Sequence, residues 1–230
     1  MGRYLIEAQD IAKDYRAGNT VSHVLQNVSV GVAPGEFAAV MGPSGSGKST
    51  LLYILSGLDK PTRGSVLLDG RDISGFDDEA QSRMRRRFIG FIFQFYNLIP
   101  NLNVAENILL PVLLDGKKAG GYEKRLTSIL EMVGLGGKRR HMPRELSGGQ
   151  QQRVAIARAL INDPDIIFAD EPTGSLDSRT GTEILKLLQE INREQNKTII
   201  MVTHSKTAAA YGNRMIWVQD GSISNKEAIQ

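Results

Sequence analysis

The stretch GPSGSGKST, residues 42–50, decides the fold. It matches the phosphate-loop pattern G-x-x-x-x-G-K-[ST] in full. Glycines let successive backbone N–H groups face the phosphates of a nucleotide, the lysine reaches the β and γ phosphates, and the serine hydroxyl ligates Mg²⁺. The stretch therefore predicts a nucleoside-triphosphate site. Its predicted contacts are Gly42, Ser44, Gly45, Ser46, Gly47, Lys48, Ser49 and Thr50.

The residues around this loop supply the setting that the pattern needs. GEFAAVM (35–41) has the character of a short strand, and KSTLLYILSGL (48–58) that of a helix, which Gly57 helps to end. Strand, helix and strand follow one another again further along the chain. These stretches are DIIFAD (165–170), SRTGTEILKLLQEINREQ (178–195) and KTIIMVTH (197–204). The alternation predicts an α/β fold, a P-loop NTPase core with a mainly parallel sheet.

Two regions differ in character from this core. Residues 4–15 and 21–32 carry mixed or alternating apolar patterns around a turn-forming group, and they predict an N-terminal antiparallel β-subdomain. From about 97 to 150, helical patterns follow one another without a clear strand, which predicts an inserted helical subdomain. We therefore expect a single domain. The domain is predicted to span residues 1–230. Within it, the α/β core with the β-subdomain is expected at about 1–96 and 151–230, and the helical subdomain at about 97–150.

A pair of acidic residues closes the apolar strand DIIFAD. A buried strand that delivers a carboxylate at its carboxyl end lies where an α/β sheet holds its ligands. Asp170 is predicted to hold Mg²⁺ through water. Glu171 is expected on the other side of the strand, where it orients and deprotonates the water that attacks the γ-phosphate. A structural or helix-capping carboxylate is the alternative for Glu171.

A second anion site is predicted at the start of LSGGQQQRVAIARAL, residues 146–160. The stretch has the pattern of a helix with Val154, Ala157 and Ile161 on one apolar face. Free backbone N–H groups of the turn 147–149 point outward along the positive end of this helix. The phosphate loop already has a helix start of its own, so the second site has no obvious ligand within one chain.

Composition limits the classes of protein. The chain has 230 residues, 28 of them basic and 25 acidic, and its net charge of +3 indicates no polyanion-binding surface. It has no cysteine, which excludes disulfides and Cys-ligated metals. No stretch approaches about 18 apolar residues, so no bilayer span is predicted and an intracellular protein is expected. The basic runs RMRRR (83–87) and KRR (138–140) indicate solvated helix faces or, alternatively, contacts with phosphates or lipid headgroups.

Taken together, LSGGQ (146–150), the phosphate loop and DEPTGSLD (170–177) resemble the ATP-binding subunit of an ABC transporter, over essentially the whole chain. The likeness is closer to the subgroup that serves lipoprotein release, macrolide efflux and antimicrobial-peptide resistance. It rests on the phosphate-loop region, on the stretch from RRRFIGFIFQ to NILLP and on LSGGQQQRVAIARAL. The resemblance implies an ATPase that uses ATP and Mg²⁺.

The resemblance also implies roles for single residues. Tyr15 matches the aromatic residue that stacks on adenine, with a plain surface tyrosine as the alternative. Gln94 matches the glutamine that contacts Mg²⁺ and the attacking water, His204 the histidine that contacts the γ-phosphate, and Asp177 a residue that communicates with the opposite subunit. Two positions depart from the common family pattern, Ser175 in place of Asn and Ser205 in place of Asp.

The predicted site residues fall into three groups. The catalytic residues are Lys48, Gln94, Glu171 and His204. The metal ligands are Ser49, Gln94 and Asp170. Besides the phosphate-loop residues, the nucleotide contacts are Tyr15, Ser147, Gly148, Gly149, Gln150 and Asp177.

The resemblance gives the unclaimed turn at 147–149 a ligand. If two chains pack head to tail, each turn closes over the γ-phosphate held by the other, so ATP joins the pair and ADP releases it. The expected partners are a second copy of the chain and an integral-membrane permease, which holds the chain on the inner face of the cell membrane. The segment 95–111 is expected to dock on the permease, with Phe95, Tyr96 and Asn97 as its exposed members.

Three functions remain open at this point. The first is an ATPase subunit of a membrane transporter whose cargo is an exported lipoprotein, peptide or drug. The second is a soluble ABC-type ATPase that acts on nucleic acid or ribosomes, and a single cassette of 230 residues argues against it. The third is a P-loop kinase for a small molecule, which has no use for LSGGQ.

Overall fold

The computed structural model describes residues 4–224, so residues 1–3 and 225–230 of the predicted domain lie outside the described part. Two sheets and seven α-helices form this part of the chain. The α/β fold with an antiparallel β-subdomain is confirmed.

The first sheet has four antiparallel strands in the order β2-β1-β4-β5. Its strands are β1 (Ile6–Ala17), β2 (Thr20–Val32), β4 (Arg63–Leu68) and β5 (Arg71–Asp72). At one end of the sheet, Ile6 of β1 stands between Val32 of β2 and Leu68 of β4, and Ile6 and Val32 are fully buried. This sheet is the β-subdomain that the alternating patterns predict.

The second sheet has six strands in the order β10-β9-β3-β8-β7-β6. Its strands are β3 (Phe37–Met41), β6 (Ile89–Ile92), β7 (Ile166–Asp170), β8 (Thr198–Val202), β9 (Arg214–Gln219) and β10 (Ser222–Ser224). All neighbouring pairs are parallel except β9 with β10. The carboxyl ends of β3, β8 and β7 therefore meet at one edge of the sheet, where the phosphate loop and the DE pair begin.

The helices lie on both faces of this sheet or in the helical region. They are α1 (Lys48–Leu55), α2 (Asp78–Phe88), α3 (Val104–Leu114), α4 (Glu123–Met132), α5 (Gly148–Leu160), α6 (Ser178–Gln195) and α7 (Lys206–Ala209). Helix α1 ends earlier than the pattern 48–58 predicts, because Gly57 takes a positive φ of 66° that leaves the helical conformation. Phe88 is the last residue of α2, and β6 begins directly after it at Ile89.

Between residues 97 and 150 the chain forms helices and three short 3₁₀ turns, with no strand. The turns are Ala119–Tyr122, Gly136–Lys138 and Pro143–Glu145. Helix α5 begins at Gly148 and runs to Leu160, so the expected boundary at 150 falls inside this helix. Its predicted apolar face of Val154, Ala157 and Ile161 is fully buried.

Two hydrophobic cores share the parallel sheet as a common wall. Along β7, Ile167 and Ala169 face the core formed with the helical region, whereas Ile166 and Phe168 face the core formed with α1 and the antiparallel sheet. Burial on both faces explains why the parallel strands are continuous apolar runs without alternation.

Three arginines of the basic run 83–87 bind groups of the same chain. Arg85 donates to the Gly57 carbonyl at 2.6 Å, and the guanidinium groups of Arg86 and Arg87 lie 3.6 and 3.3 Å from the Asp115 carboxylate. These arginines therefore tie α2 to the segments around it.

No helix within residues 4–224 has both the length and the apolar character that a membrane span requires.

Candidate functional site

The phosphate loop connects β3 to the first residue of α1. Gly47 has φ 97°, and a Cβ added there would lie 2.8 Å from Leu25 Cδ2 and 2.9 Å from the Val24 carbonyl, so only glycine fits. No side chain within residues 4–224 caps the start of α1, and no acidic residue lies in its first turn. The first backbone N–H groups of α1 are thus left for an anion.

Two side chains of the loop fit a triphosphate. Lys48 is buried and its Nζ donates to the Pro43 carbonyl at 2.7 Å, which curls the side chain over the loop. The hydroxyl of Ser46 is buried and has no hydrogen-bond partner among the described residues. A buried hydroxyl without a partner is rare in folded proteins, and a phosphate oxygen would satisfy it.

The structure brings together two of the predicted metal ligands. Ser49 donates its hydroxyl to Oδ1 of Asp170 at 3.0 Å, across the gap between the start of α1 and the end of β7. A hydroxyl and a carboxylate are oxygen ligands of the type that Mg²⁺ prefers. The chemistry of this pair therefore fits the metal.

The third predicted ligand, Gln94, lies against the turn that follows Glu171. A Cβ added to Gly174 would lie 2.9 Å from Nε2 of Gln94 and 3.2 Å from Oε2 of Glu171. Gly174 therefore leaves the space in which these two side chains approach each other.

Glu171 directly follows β7 and has a positive φ of 44°, so its side chain does not continue the alternation of side chains along the strand. Its Oε2 lies 2.8 Å from Nδ1 of His204, which follows β8. The carboxylate is partly exposed and the imidazole largely so. The pair lies at the sheet edge that also carries Asp170, where the carboxylate is placed to accept a proton from water.

Two backbone N–H groups at the turn before α5 are hydrogen-bonded within the turn. The backbone N–H of Gln150 donates to the Ser147 hydroxyl at 3.3 Å, and the backbone N–H of Ser147 donates to Oε1 of Gln150 at 3.0 Å, which is a capping box. The atoms nearest to a Cβ placed on Gly148 or Gly149 belong to Tyr96, Leu176 and Thr180. None of these residues is part of the phosphate loop, so one chain does not bring the two anion sites together.

Asp177 caps the start of α6. Its carboxylate accepts the backbone N–H groups of Arg179 and Thr180 at 3.1 and 3.0 Å and the Thr180 hydroxyl at 2.6 Å. The hydroxyl bond, with the backbone bonds, lowers the pKa of Asp177. Within one chain this residue is therefore a helix cap.

The departure at Ser175 has a structural reason. Its hydroxyl lies 3.1 Å from the Gln94 carbonyl and 3.1 Å from the Tyr96 hydroxyl, so it ties the turn after Glu171 to the segment after Gln94. Tyr96 is consequently half-buried, and the expectation that it is an exposed residue is wrong. Arg158 holds the same segment, since its guanidinium donates to the carbonyls of Tyr96 and Asn97 at 2.8 and 2.6 Å. Ser205 caps the short helix α7.

Tyr15 lies on β1 with its ring 44% exposed. Its hydroxyl donates to Oδ2 of Asp59 at 2.7 Å, while Lys13 donates to Oδ1 of Asp59 at 2.6 Å and lies 4.8 Å from the ring centroid of Tyr15. Burial by itself would raise the pKa of Asp59, but these hydrogen bonds and the backbone N–H of Lys60 lower it. The phenol is held at its hydroxyl and keeps open surface on its ring.

Nothing in the sequence marks Tyr53 as a site residue, because it lies in the apolar run of α1. Its hydroxyl donates to Oδ2 of Asp170 at 2.8 Å. Burial, followed by the contact with this carboxylate, raises the pKa of Tyr53 to about 12. The Tyr53 hydroxyl is therefore a hydrogen-bond donor to the carboxylate of Asp170.

A glycine-rich loop between β3 and α1, a carboxylate at the end of β7 and a mainly parallel sheet define a P-loop nucleoside triphosphatase. Residues 25–174 match the family described as "ABC transporter". The chain belongs to the ABC transporter family, and it is an ATP-binding cassette of the ATPase class.

Relatives match nearly the whole chain. An uncharacterized ABC transporter ATP-binding protein of Methanocaldococcus jannaschii, MJ0796, is 44% identical over 98% of both chains. The macrolide export ATP-binding/permease protein MacB of a Shewanella species is 45% identical over 99% of this chain, which spans 34% of that protein. These relatives agree with the subgroup that the sequence resembles.

A solved structure of MJ0796 has the same fold, with a TM-score of 0.89 at 43% identity over 98% of this chain and 99% of that one. It is described as a dimeric post-hydrolysis state of the cassette bound to ADP and Pi.

Proposed function

We propose that this chain powers a membrane transporter through ATP-dependent, head-to-tail pairing of two copies. The observation that carries the proposal is the separation, within one chain, of the phosphate loop from the anion-binding turn 147–149. A second copy supplies the missing half of each site. The dimeric state described for MJ0796 supports this arrangement.

The site residues have distinct proposed roles in hydrolysis. Lys48 and the N–H groups of the loop bind the phosphates, and the exposed ring of Tyr15 stacks on adenine. Glu171 accepts the proton of the attacking water, while Gln94 orients this water and His204 donates to the γ-phosphate. Mg²⁺, held by Ser49, Asp170 and Gln94, would neutralise phosphate charge when bound.

The pair forms because the γ-phosphate touches both copies. Ser147, Gly148, Gly149 and Gln150 of one copy contact the phosphate bound by the other, and Asp177 lies between the two sites. Because ADP lacks the γ-phosphate, hydrolysis loosens the pair.

The experiment for the catalytic base is Glu171→Gln. This change removes the proton acceptor but keeps the size of the side chain, so we expect ATP turnover to fall about 100-fold or more. ATP binding should persist, and the variant should elute as a dimer with ATP and as a monomer with ADP on gel filtration. Hydrolysis at the wild-type rate would show that Glu171 is not the base.

The shared site is tested by adding Ser147→Arg to Glu171→Gln. The long side chain fills the space at the turn, so the protein should bind ATP as a monomer. Asn103→Arg is the matched control, because Asn103 also caps a helix through a capping box, at α3. An ATP-dependent dimer that survives Ser147→Arg, or is lost equally with Asn103→Arg, contradicts the shared site.

The proposed membrane partner is a permease, because the MacB relative is named as a combined ATP-binding and permease protein. Phe95 is 73% exposed directly after Gln94. A groove of about 310 Å³, which Asn97 of the same segment helps to line, has a mixed lining. Its apolar residues include Leu58, Phe91, Pro111 and Leu114, and its other polar residues are Arg85, Arg86, Arg158 and Asn162. We propose that this surface binds a permease helix, which keeps the chain at the inner face of the cell membrane, and that the cargo is an exported lipoprotein, peptide or drug.

A further inference from the structure

The Asp170 carboxylate is held on both oxygens by hydroxyl groups of α1. Ser49 donates to Oδ1 at 3.0 Å and Tyr53 donates to Oδ2 at 2.8 Å. The two donors are four residues apart, so they lie on the same face of the helix, one turn above the other. Asp170 itself is buried, with 8% of its surface exposed.

The Tyr53 hydroxyl is fixed in position by aromatic packing. The ring of Tyr53 lies 6.0 Å from that of Phe91, and Phe91 in turn lies 4.3 Å from Phe93 and 6.3 Å from Phe168 of β7. Phe168 and Asp170 belong to the same strand. The phenol is therefore anchored to the strand that carries the carboxylate which it contacts.

The terminal torsion of an aspartate is broad, so its two oxygens have no intrinsic assignment to separate tasks. A rigid donor on one oxygen gives them that assignment. With Oδ2 bonded to Tyr53, the oxygen that faces the phosphate loop is Oδ1, which also meets the Ser49 hydroxyl.

We propose that Tyr53 is a positioning residue of the metal site, which fixes Asp170 so that Oδ1 is presented to Mg²⁺. The inference rests on the proposed Mg²⁺-dependent function of this site. Hydrogen bonds of this kind orient carboxylates that bind metals, and their removal commonly weakens metal affinity by about 10- to 100-fold. Tyr53 itself touches neither the nucleotide nor the metal in this assignment.

The test is Tyr53→Phe, which removes one oxygen atom and keeps the ring against Phe91. ATP affinity is measured by calorimetry over a range of Mg²⁺ concentrations and in EDTA, in the Glu171→Gln background to prevent turnover. We expect the Mg²⁺ concentration for half-maximal ATP affinity to rise about 10-fold. ATP affinity in EDTA should stay as in the parent protein, because Tyr53 does not contact the nucleotide.

Two further variants separate positioning from a general structural role. Tyr211→Phe removes the hydroxyl of a tyrosine that follows α7 and packs against the core shared with the helical region, and it should leave the Mg²⁺ dependence unchanged. Tyr53→Met also lacks the hydroxyl and fills the space with a flexible apolar chain, so it should shift the Mg²⁺ dependence like Tyr53→Phe. It serves as the second variant if Tyr53→Phe does not fold.

Two outcomes overturn the inference alone. One is an unchanged Mg²⁺ dependence in Tyr53→Phe, and the other is an equal loss of ATP affinity with Mg²⁺ and in EDTA, which marks a structural role. If the parent protein itself shows no Mg²⁺ dependence, the proposed metal site is wrong and the inference falls with it.

Discussion

At the scale of single residues, Tyr15 combines a fixed hydroxyl with an exposed side chain, which Lys13 approaches to 4.8 Å from the ring centroid. Asp59 holds the phenol oxygen, and Lys13 holds Asp59 from the other side. The ring then needs little reordering when a planar base stacks on it. This arrangement favours the role implied by the resemblance over that of a plain surface tyrosine.

We predict that Tyr15→Ala weakens ATP binding about 10-fold or more, because stacking of a base on an aromatic ring is worth roughly 1–3 kcal/mol. Tyr15→Phe should weaken it less, since the ring remains but loses its anchor on Asp59. Calorimetric titration with ATP checks both values.

Inorganic tripolyphosphate is the control ligand, because it has the phosphates but no base. Its affinity for the phosphate loop should be the same in wild type, Tyr15→Ala and Tyr15→Phe. An equal loss for ATP and tripolyphosphate would mean that Tyr15 supports the loop and does not bind adenine.

The sequence predicts which of these side chains lie together where a fixed motif sets their spacing. The contact of Ser49 with Asp170 and the approach of Glu171 to the same sheet edge follow from the loop motif and the acidic strand end. The contacts of Tyr53 and Ser175 escape prediction, because no motif marks these partners and the contacts depend on how helix α1 and the turn after Glu171 pack.

At the scale of elements, Asp115 connects α2 to α3. It lies just after α3, its side chain is 2% exposed, and it meets Arg86, Arg87 and Lys117. The bond from Lys117 lowers the pKa of Asp115 most, burial opposes it, and Arg87 lowers the pKa further. A group with a lowered pKa stabilises the fold while it is charged.

We predict that Asp115→Asn lowers the free energy of unfolding at pH 7 by about 1–3 kcal/mol, because a charged acceptor is lost among three cations. The ordinary pKa of the group is 3.8, and its pKa in the fold is lower. The contribution is therefore complete well above pH 3.8 and disappears as the pH falls through the lowered value.

Urea denaturation from pH 7 down to pH 3 measures this effect. The wild type should approach the stability of Asp115→Asn toward the acid end. Asp78→Asn is the control, since Asp78 is 98% exposed and 3.4 Å from Lys60, and its stability difference should be small at every pH. A gap between wild type and Asp115→Asn that stays constant with pH would contradict the prediction.

Element types follow from the sequence more reliably than their ends do. The strand, loop and helix around residues 42–50 and the absence of strands between 97 and 150 are predicted from periodicity. The division expected at about 150 falls inside α5, which runs from Gly148 to Leu160, because this helix continues from the helical region toward the strand β7. Helix ends depend on local backbone conformations, such as that of Gly57, and they shift by a few residues.

At the scale of the whole molecule, we predict that Phe95→Asp abolishes co-purification with the membrane partner. A charge in an apolar contact must be buried without a partner, which is unfavourable. ATP hydrolysis by the isolated chain should continue, because the Phe95 side chain is exposed. Affinity purification from solubilised membranes measures the association.

Met132→Asp is the matched control, since Met132 is also an exposed apolar residue but lies elsewhere, on α4. The Met132→Asp variant should still co-purify with the membrane partner. Co-purification of Phe95→Asp at the wild-type level would place the permease elsewhere on the molecule, and bound RNA in place of a membrane protein would favour the ribosome-associated alternative.

Helix α5 has a different neighbour at each end. Its first residues belong to the turn 147–149. About 16 Å further along the helix axis, Arg158 donates hydrogen bonds to the two carbonyls that follow Phe95 in the chain. In the proposed pair, helix α5 of each copy therefore connects the transporter contact of its own copy to the ATP bound by the opposite copy. In a mixed pair, Lys48→Ala in one copy removes the ATP that α5 of the intact copy contacts. The transporter contact on the intact copy should therefore no longer respond to ATP, whereas the contact on the mutated copy should still respond.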